Sequence, residues 1–530
     1  MVASAVFLVT TGCTTGNRVG SPTATAGPLT RAERTGYLET SRYADVIAFI
    51  DSLRGRPELA FGSIGKTNEG RDIPYVVASR PRVSTPAEAE RLKRPIVYVQ
   101  GNIHAGEVEG KEALLALLRD LTASPKPNVL DSVVLIAVPI YNADGNDKFA
   151  SQEVNRGSQN GPEMVGVRPN AQGLDLNRDY MKVEAPETRA SLAMFNAWDP
   201  DVFVDLHTTN GSYHGYALTY APPLNPASSL GVYTRDLILP ELRRKMQSRH
   251  NFPTFDYGDF ISADTLSKGW VTFDSRPRFG TNYYGLRGRI SILSEAYSHD
   301  PFERRVKSTY AFVTEILSLL GEERVKEINS KPGDGVPIRS KMVSAPNPVP
   351  VVAEIVERTG DSTRTKPGVP RGRRRTGRYV TVNMPVYERF EPTLRVPIPE
   401  RYVLAAKDTG AVRVLRDHGI IVRVVGANTL SGADLVGNGF VFMIDSTFAA
   451  QRPFQGHREM RITGKWRSQT RTIAPGSFIV DMSQPLSILA VYLLEPQSDD
   501  GLVTWNYFDS DLRPGGLYPV FKIGGEPPSP

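Results

Sequence analysis

Apolar residues fall along this chain in two alternating patterns. Short, mostly apolar runs at 96–100, 133–140, 202–205 and 289–293, with a four-residue run at 75–78, predict strands, the longer ones buried on both faces. Between them the spacing changes to that of helices. Leu114, Leu117, Leu118 and Leu121 stand at i, i+3, i+4 and i+7, and Leu192, Phe195 and Trp198 follow a Pro186 helix start. Phe302, Val306, Val313, Ile316 and Leu320 share a face after the capping pair Asp300-Pro301. Tyr37, Tyr43, Val46, Ile47 and Ile50 predict a helix over 31–54. Strands alternating with amphipathic helices predict an α/β domain over residues 30–325, a mostly parallel mixed sheet flanked by helices.

The pattern changes beyond residue 325. Residues 326–400, rich in Pro, Gly and Ser at 331–350 and carrying the basic run RGRRRTGR at 371–378, read as a linker and irregular segment. Residues 401–530 predict a second, smaller α/β or β-rich accessory domain. Strands are expected at 402–406, 420–425, 440–444 and 478–481, with a helix at 411–418 and further strand-helix alternation through 485–494.

Composition narrows the class. The chain has 530 residues, 40% hydrophobic and 23% charged, with a net charge of +6. That is a globular composition with ample core, and the mild charge excludes a dedicated nucleic-acid surface. A short apolar run at 3–11 leads to Gly12 and the single cysteine, Cys13, followed by a Thr/Gly/Ser/Pro-rich tether, so residues 1–29 read as a signal and tether. Small residues ahead of a lone cysteine resemble a bacterial lipoprotein signal. The resemblance implies an extracytoplasmic protein, periplasmic, secreted or anchored to a membrane through lipidated Cys13. One cysteine excludes an intrachain disulfide framework.

The candidate chemistry begins where the run at 96–100 gives way to helix. His104 and Glu107 stand three residues apart at the C-terminal end of that strand, where open α/β sheets place their sites. His207 follows the strand at 202–205 in the same way, in a chain with only seven histidines. Two imidazoles and a carboxylate with a fourth position open make a hydrolytic zinc centre. Such a centre also needs a carboxylate to take a proton from water and a cation for the oxyanion.

HxxE at 104–107, YNADG at 141–145, GLDLNRDY at 173–180 and the strand-borne His207 stand in one order over residues 40–320. Together they resemble the zinc carboxypeptidase family of metallopeptidases. The resemblance implies one Zn2+ per chain on His104, Glu107 and His207, with Asp175 orienting a ligand histidine. It implies that Asn177 and Arg178 grip a substrate's free α-carboxylate, that Glu295 in SILSEAY is the general base, and that Arg168 polarises the scissile carbonyl. Tyr283 or Tyr284 takes the place of the family's substrate-binding tyrosine. Asp179, where relatives carry Asn, implies a more acidic pocket, and His214 is expected on a substrate loop rather than as a fourth ligand. The implied activity is hydrolysis of the C-terminal peptide bond of peptides with a free carboxylate. A deacylase or cell-wall stem-peptide peptidase on the same fold, or a non-catalytic binding lipoprotein, are the alternatives.

Overall fold

The computed structural model describes residues 27–124, 126–322, 335–358, 373–426 and 436–525. Cys13 and residues 14–26 of its tether lie outside the described residues, as do Arg371 and Gly372 of the basic run.

Eight strands form the main sheet: β1 (Leu59–Lys66), β2 (Asp72–Ala78), β3 (Ile96–Gly101), β4 (Val134–Val138), β5 (Val202–Thr208), β6 (Leu218–Ala221), β7 (Thr254–Asp256) and β8 (Ile290–Ala296). Their order is β1-β2-β4-β3-β5-β8-β6-β7. The central strands β4, β3, β5 and β8 run parallel, with antiparallel neighbours on either side. These central strands are buried along their whole length, as mostly apolar runs require. The expected mixed α/β sheet is therefore present. β1 was not legible, because LAFGSIGK carries two glycines and no sustained alternation.

Helices cover both faces. On one lie α1 (Tyr43–Ser52), α2 (Glu109–Ala123), α4 (Leu239–His250) and α6 (Phe302–Glu322), joined through Val46, Leu114, Leu118, Met246, Phe312 and Ile316. The other face carries α3 (Pro186–Trp198) and α5 (Gly280–Leu286). The single helix expected over 31–54 is instead a four-residue turn of helix, Arg31–Arg34, followed by α1. Helix α2 packs close to β5 through Gly110, where an added Cβ would fall 2.7 Å from the Leu206 Cβ.

The segment 326–400, expected to be irregular, holds four long strands: β9 (Val336–Ser344), β10 (Val349–Arg358), β11 (Arg373–Met384) and β12 (Val386–Val396). Exposed positions alternate along β12 with half-buried ones, so no continuous apolar run announced it. Beyond it lie β13 (Arg401–Leu404), α7 (Thr409–Asp417), β14 (Val436–Ala449), β15 (Met460–Thr472), β16 (Phe478–Asp481), α8 (Ser487–Leu494) and β17 (Phe521–Ile523). These strands form a sheet with the order β16-β13-β17-β14-β15, extended beyond β16 by the two-residue strand Arg423–Val424. The apolar core does not stop at the expected boundary. Tyr98, Tyr180, Phe195 and Tyr283 belong to the same buried cluster as Tyr402, Leu415, Phe442, Leu493 and Trp505.

Candidate metal centre

Three parallel strands deliver the site from their C-terminal ends. The register sets His207 directly beside Glu295 across β5 and β8, and Gly101 beside Leu206 across β3 and β5. The chain leaving β3 turns at once through His104 and Glu107 before α2 begins. His104, Glu107 and His207 are all buried, and their ligand atoms lie within 4.8 Å of one another.

Nδ1 of His207 stands 3.1 Å from Nδ1 of His104 and 2.8 Å from Glu107 Oε2, while His104 Nδ1 stands 3.0 Å from Glu107 Oε1. Both imidazoles thus turn the same nitrogen inward. Each outward nitrogen meets a carboxylate: His104 Nε2 lies 3.1 Å from Asp175 Oδ1, and His207 Nε2 lies 2.9 Å from Asp205 Oδ2. Carboxylate-backed imidazoles converging on a buried carboxylate are the donor set of a zinc site. Burial pushes the Glu107 carboxyl up, but His104 and Arg156 outweigh it and hold the group well below the carboxylate range. Asp175 is likewise lowered, burial being outweighed by His104, Arg168 and Arg178. Both are therefore anionic, as residues gathered around a cation should be.

The surrounding pocket, about 140 Å³, is lined by the three ligand candidates together with Arg168, Asn177, Arg178, Tyr257 and Glu295. Arg168 bonds Asp175 Oδ2 through Nε at 2.9 Å and stands 3.4 Å from Glu107. Asn177 accepts the Gly280 N–H at 2.8 Å. Arg178 donates to the Asn177 carbonyl at 2.7 Å and stacks 3.9 Å from the centre of the Phe279 ring. Glu295 is 7% exposed, and its Oε2 has no hydrogen-bond partner among the described residues. Burial, reinforced by Glu107 against the pull of His207, pushes its carboxyl up to about 8.

Three expectations need correction. Tyr283 does not line the pocket: it is fully buried, donates to His418 Nδ1 at 2.8 Å and stacks on Tyr180. The alternate Tyr284 is also fully buried, against Phe203. The phenol at the pocket is Tyr257, whose oxygen accepts from Asn210 Nδ2 at 2.8 Å. Burial holds its pKa well above 10, so it stays protonated. Asp179 does not acidify the pocket, because it turns away to bind Lys182 Nζ at 2.6 Å and the Ala185 N–H at 2.9 Å. His214 does not line the pocket either. It is buried beside Tyr297, 4.2 Å between ring centres, and burial with nearby His299 and Arg375 lowers it to about 3.

Sequence reasoning missed Arg156, which bonds Glu107 Oε1 at 3.0 Å and the Thr208 carbonyl at 2.9 Å. No local pattern marks it. Gly106 makes the approach, since a Cβ there would lie 2.6 Å from Arg156 Cγ. Asp205 was missed as well, although strand alternation puts it on the same face as His207 two residues on.

Residues 46–263 match the family described as zinc carboxypeptidase. Among curated relatives, carboxypeptidase 2 of Trichophyton rubrum is 23% identical, covering 96% of this chain and 91% of its own length. Carboxypeptidase Z of Mus musculus is 34% identical over 22% of this chain and 17% of its own. Of solved structures, a metallo-carboxypeptidase from Pseudomonas aeruginosa aligns over 54% of this chain and 70% of its own, with 16% identity and a TM-score of 0.40. Carboxypeptidase A from Helicoverpa armigera covers 55% and 75%, with 16% identity and a TM-score of 0.39. The family match spans the strands and loops that carry the buried His-Glu-His cluster, so residues 46–263 carry a zinc carboxypeptidase family domain, and the chain is by class a peptide hydrolase.

Proposed function

We propose that the chain is a zinc-dependent carboxypeptidase that removes an apolar C-terminal residue from peptides. The observation that carries this reading is Arg178. Its guanidinium lines the pocket beside the His-Glu-His cluster, half-buried, and makes no ion pair among the described residues. A half-buried cation with a carbonyl and a ring beside it but no ion pair is costly, and a bound carboxylate supplies the planar, two-point anionic partner it lacks.

His104, Glu107 and His207 hold one Zn2+, with Asp175 and Asp205 fixing the imidazoles. Zinc there supplies Lewis acidity, acidifying water and polarising a carbonyl oxygen. Asn177 and Arg178 fix the substrate's α-carboxylate and so set which peptide bond reaches Glu295. Phe273, Phe279 and Leu293 wall the space around the terminal side chain, and among the described residues no carboxylate beyond Glu107 and Glu295 lines the pocket to attract a basic one. Glu295 takes a proton from the attacking water and returns it to the leaving amine. Arg168 retains N–H donors beyond its bond to Asp175 and turns them to the developing oxyanion. Tyr257, protonated and already accepting from Asn210, donates to the bound peptide.

The test is a matched pair of peptides ending in Phe, one with a free carboxylate and one amidated. Release of Phe from the free acid alone is expected, with Arg178→Ala raising KM by roughly 10- to 100-fold, the value of a lost charge-assisted hydrogen bond or two. Equal cleavage of both peptides, or an Arg178→Ala enzyme with unchanged KM, overturns the reading. The run ahead of Cys13 supports action outside the cytoplasm on an acylated Cys13, and no helix among the described residues is long and apolar enough to cross a membrane. Cys13→Ser is then expected to move the protein from the membrane to the soluble fraction, and unchanged fractionation counts against the anchor.

A further inference from the structure

The turn at 450–459, which joins β14 to β15, reaches the metal centre from the far end of the chain. Gln455 Oε1 accepts the backbone N–H of Asp175 at 2.9 Å. Asp175 in turn divides its carboxylate between His104 Nε2, at 3.1 Å, and Arg168 Nε, at 2.9 Å, while Oδ1 also accepts the Asn177 N–H at 3.0 Å. One main-chain position therefore governs a ligand histidine, the arginine offered to the oxyanion and the start of the Asn177-Arg178 pair. Its N–H is held by a side chain 280 residues away.

The turn is built to hold that side chain in place. Gln455 adopts φ +51°, a left-handed conformation that L-residues other than Asn and Asp rarely take, and Gly456 follows at φ +82°. Phe454 and His457 exchange both main-chain hydrogen bonds, at 2.7 and 3.0 Å. On one flank His457 bridges Glu184 at 2.8 Å and Asn506 at 3.0 Å. On the other, Phe454 lies over the Arg278 guanidinium, 5.2 Å to the ring centre, and buried Arg278 pairs with Asp500 and Glu459. The turn thus grips the segment carrying Asp175 to Glu184 and the residue just before Phe279. A strained residue kept in an anchored turn is a mark of function when its side chain makes a specific contact.

We propose that Gln455 is a positioning residue for the metal centre, so that the C-terminal region completes the catalytic site. The proposal rests on the zinc carboxypeptidase reading above. Without the Gln455 oxygen the Asp175 main chain loses its partner, the carboxylate drifts from His104 and Arg168, and the metal is held less tightly. Groups behind ligand histidines typically change metal affinity 10- to 100-fold.

The experiment uses the full chain, with zinc affinity measured by chelator competition and thermal midpoints recorded for zinc-free and zinc-loaded protein. Gln455→Met, of similar length but without an acceptor, is expected to weaken zinc binding about 10-fold or more. The zinc-free midpoint should stay where it was. Gln455→Glu, which keeps an acceptor oxygen, should restore most of the lost affinity. Wild-type zinc affinity in the Met variant overturns the proposal, and so does an equal loss in both variants. A lowered zinc-free midpoint with unchanged zinc affinity assigns Gln455 a merely structural role and overturns it as well. A wild-type chain that binds no zinc instead overturns the reading beneath it.

Discussion

Glu295 shows how much one buried side chain carries. It sits on β8 beside His207, and its raised pKa comes first from burial and then from Glu107. Glu295→Gln should keep zinc, because the three ligands are untouched, and lose about 10²- to 10⁴-fold in kcat, the usual scale of general acid–base catalysis. Stopped assays on zinc-verified protein check this, and near-normal turnover would move the base elsewhere. The same carboxyl makes a stability prediction for zinc-free protein. The folded state holds a proton up to about pH 8 that the unfolded chain releases near 4.5. Stability from this group is thus full at low pH and lost as pH rises through that window. Zinc-free Glu295→Gln should therefore gain thermal stability over wild type at pH 8 and show no gain at pH 4.

At the scale of elements, α5 separates two roles that its tyrosines made easy to confuse. The helix packs against β5 and β8, with Tyr284 on Phe203 and Tyr283 facing His418 at the end of α7. His418 is buried and lowered to about 3 by burial, so it is neutral, donating Nε2–H to the Met181 carbonyl at 3.2 Å and accepting from Tyr283. Tyr283→Phe should leave kcat and KM unchanged, since the ring is fully buried and does not line the pocket. It should cost about 1–3 kcal/mol through the unpaired His418 nitrogen. Denaturant unfolding alongside peptide kinetics checks both halves, and a raised KM would restore Tyr283 to the substrate site.

Across the whole molecule, the apolar core crosses the expected boundary near residue 325. Trp505 and Leu493 share one buried cluster with Tyr98 and Phe195, and Asn225 Nδ2 donates to the Tyr492 hydroxyl at 3.1 Å. Units that share a core unfold together. Calorimetry of the full chain should give one cooperative transition, moved upward by zinc as any ligand specific to the folded state requires. Two separable transitions, only one of them zinc-dependent, would show two independent units.

Much of the site was legible because its residues sit where local pattern places them. The apolar runs at 96–100 and 202–205 predicted parallel strands, and strand ends are where the chain leaves a sheet with its polar groups free. His104, Glu107, His207 and Glu295 leave the sheet at that edge, whereas Asp175, Arg168, Asn177 and Arg178 join them from an irregular segment and were reached only through the family resemblance. What pattern could not reveal was set by contacts between distant segments. Arg156 reaches Glu107 from an irregular loop, Tyr257 rather than Tyr283 faces the pocket, and Gln455 holds Asp175 across 280 residues. Periodicity reports which face of an element is buried, whereas which side chain fills a given space depends on how the elements pack. The sequence alone determined the sheet, its edge and the candidate His-Glu-His donor set, and the tertiary structure decided which phenol faces the pocket and that the C-terminal region is built into the same core.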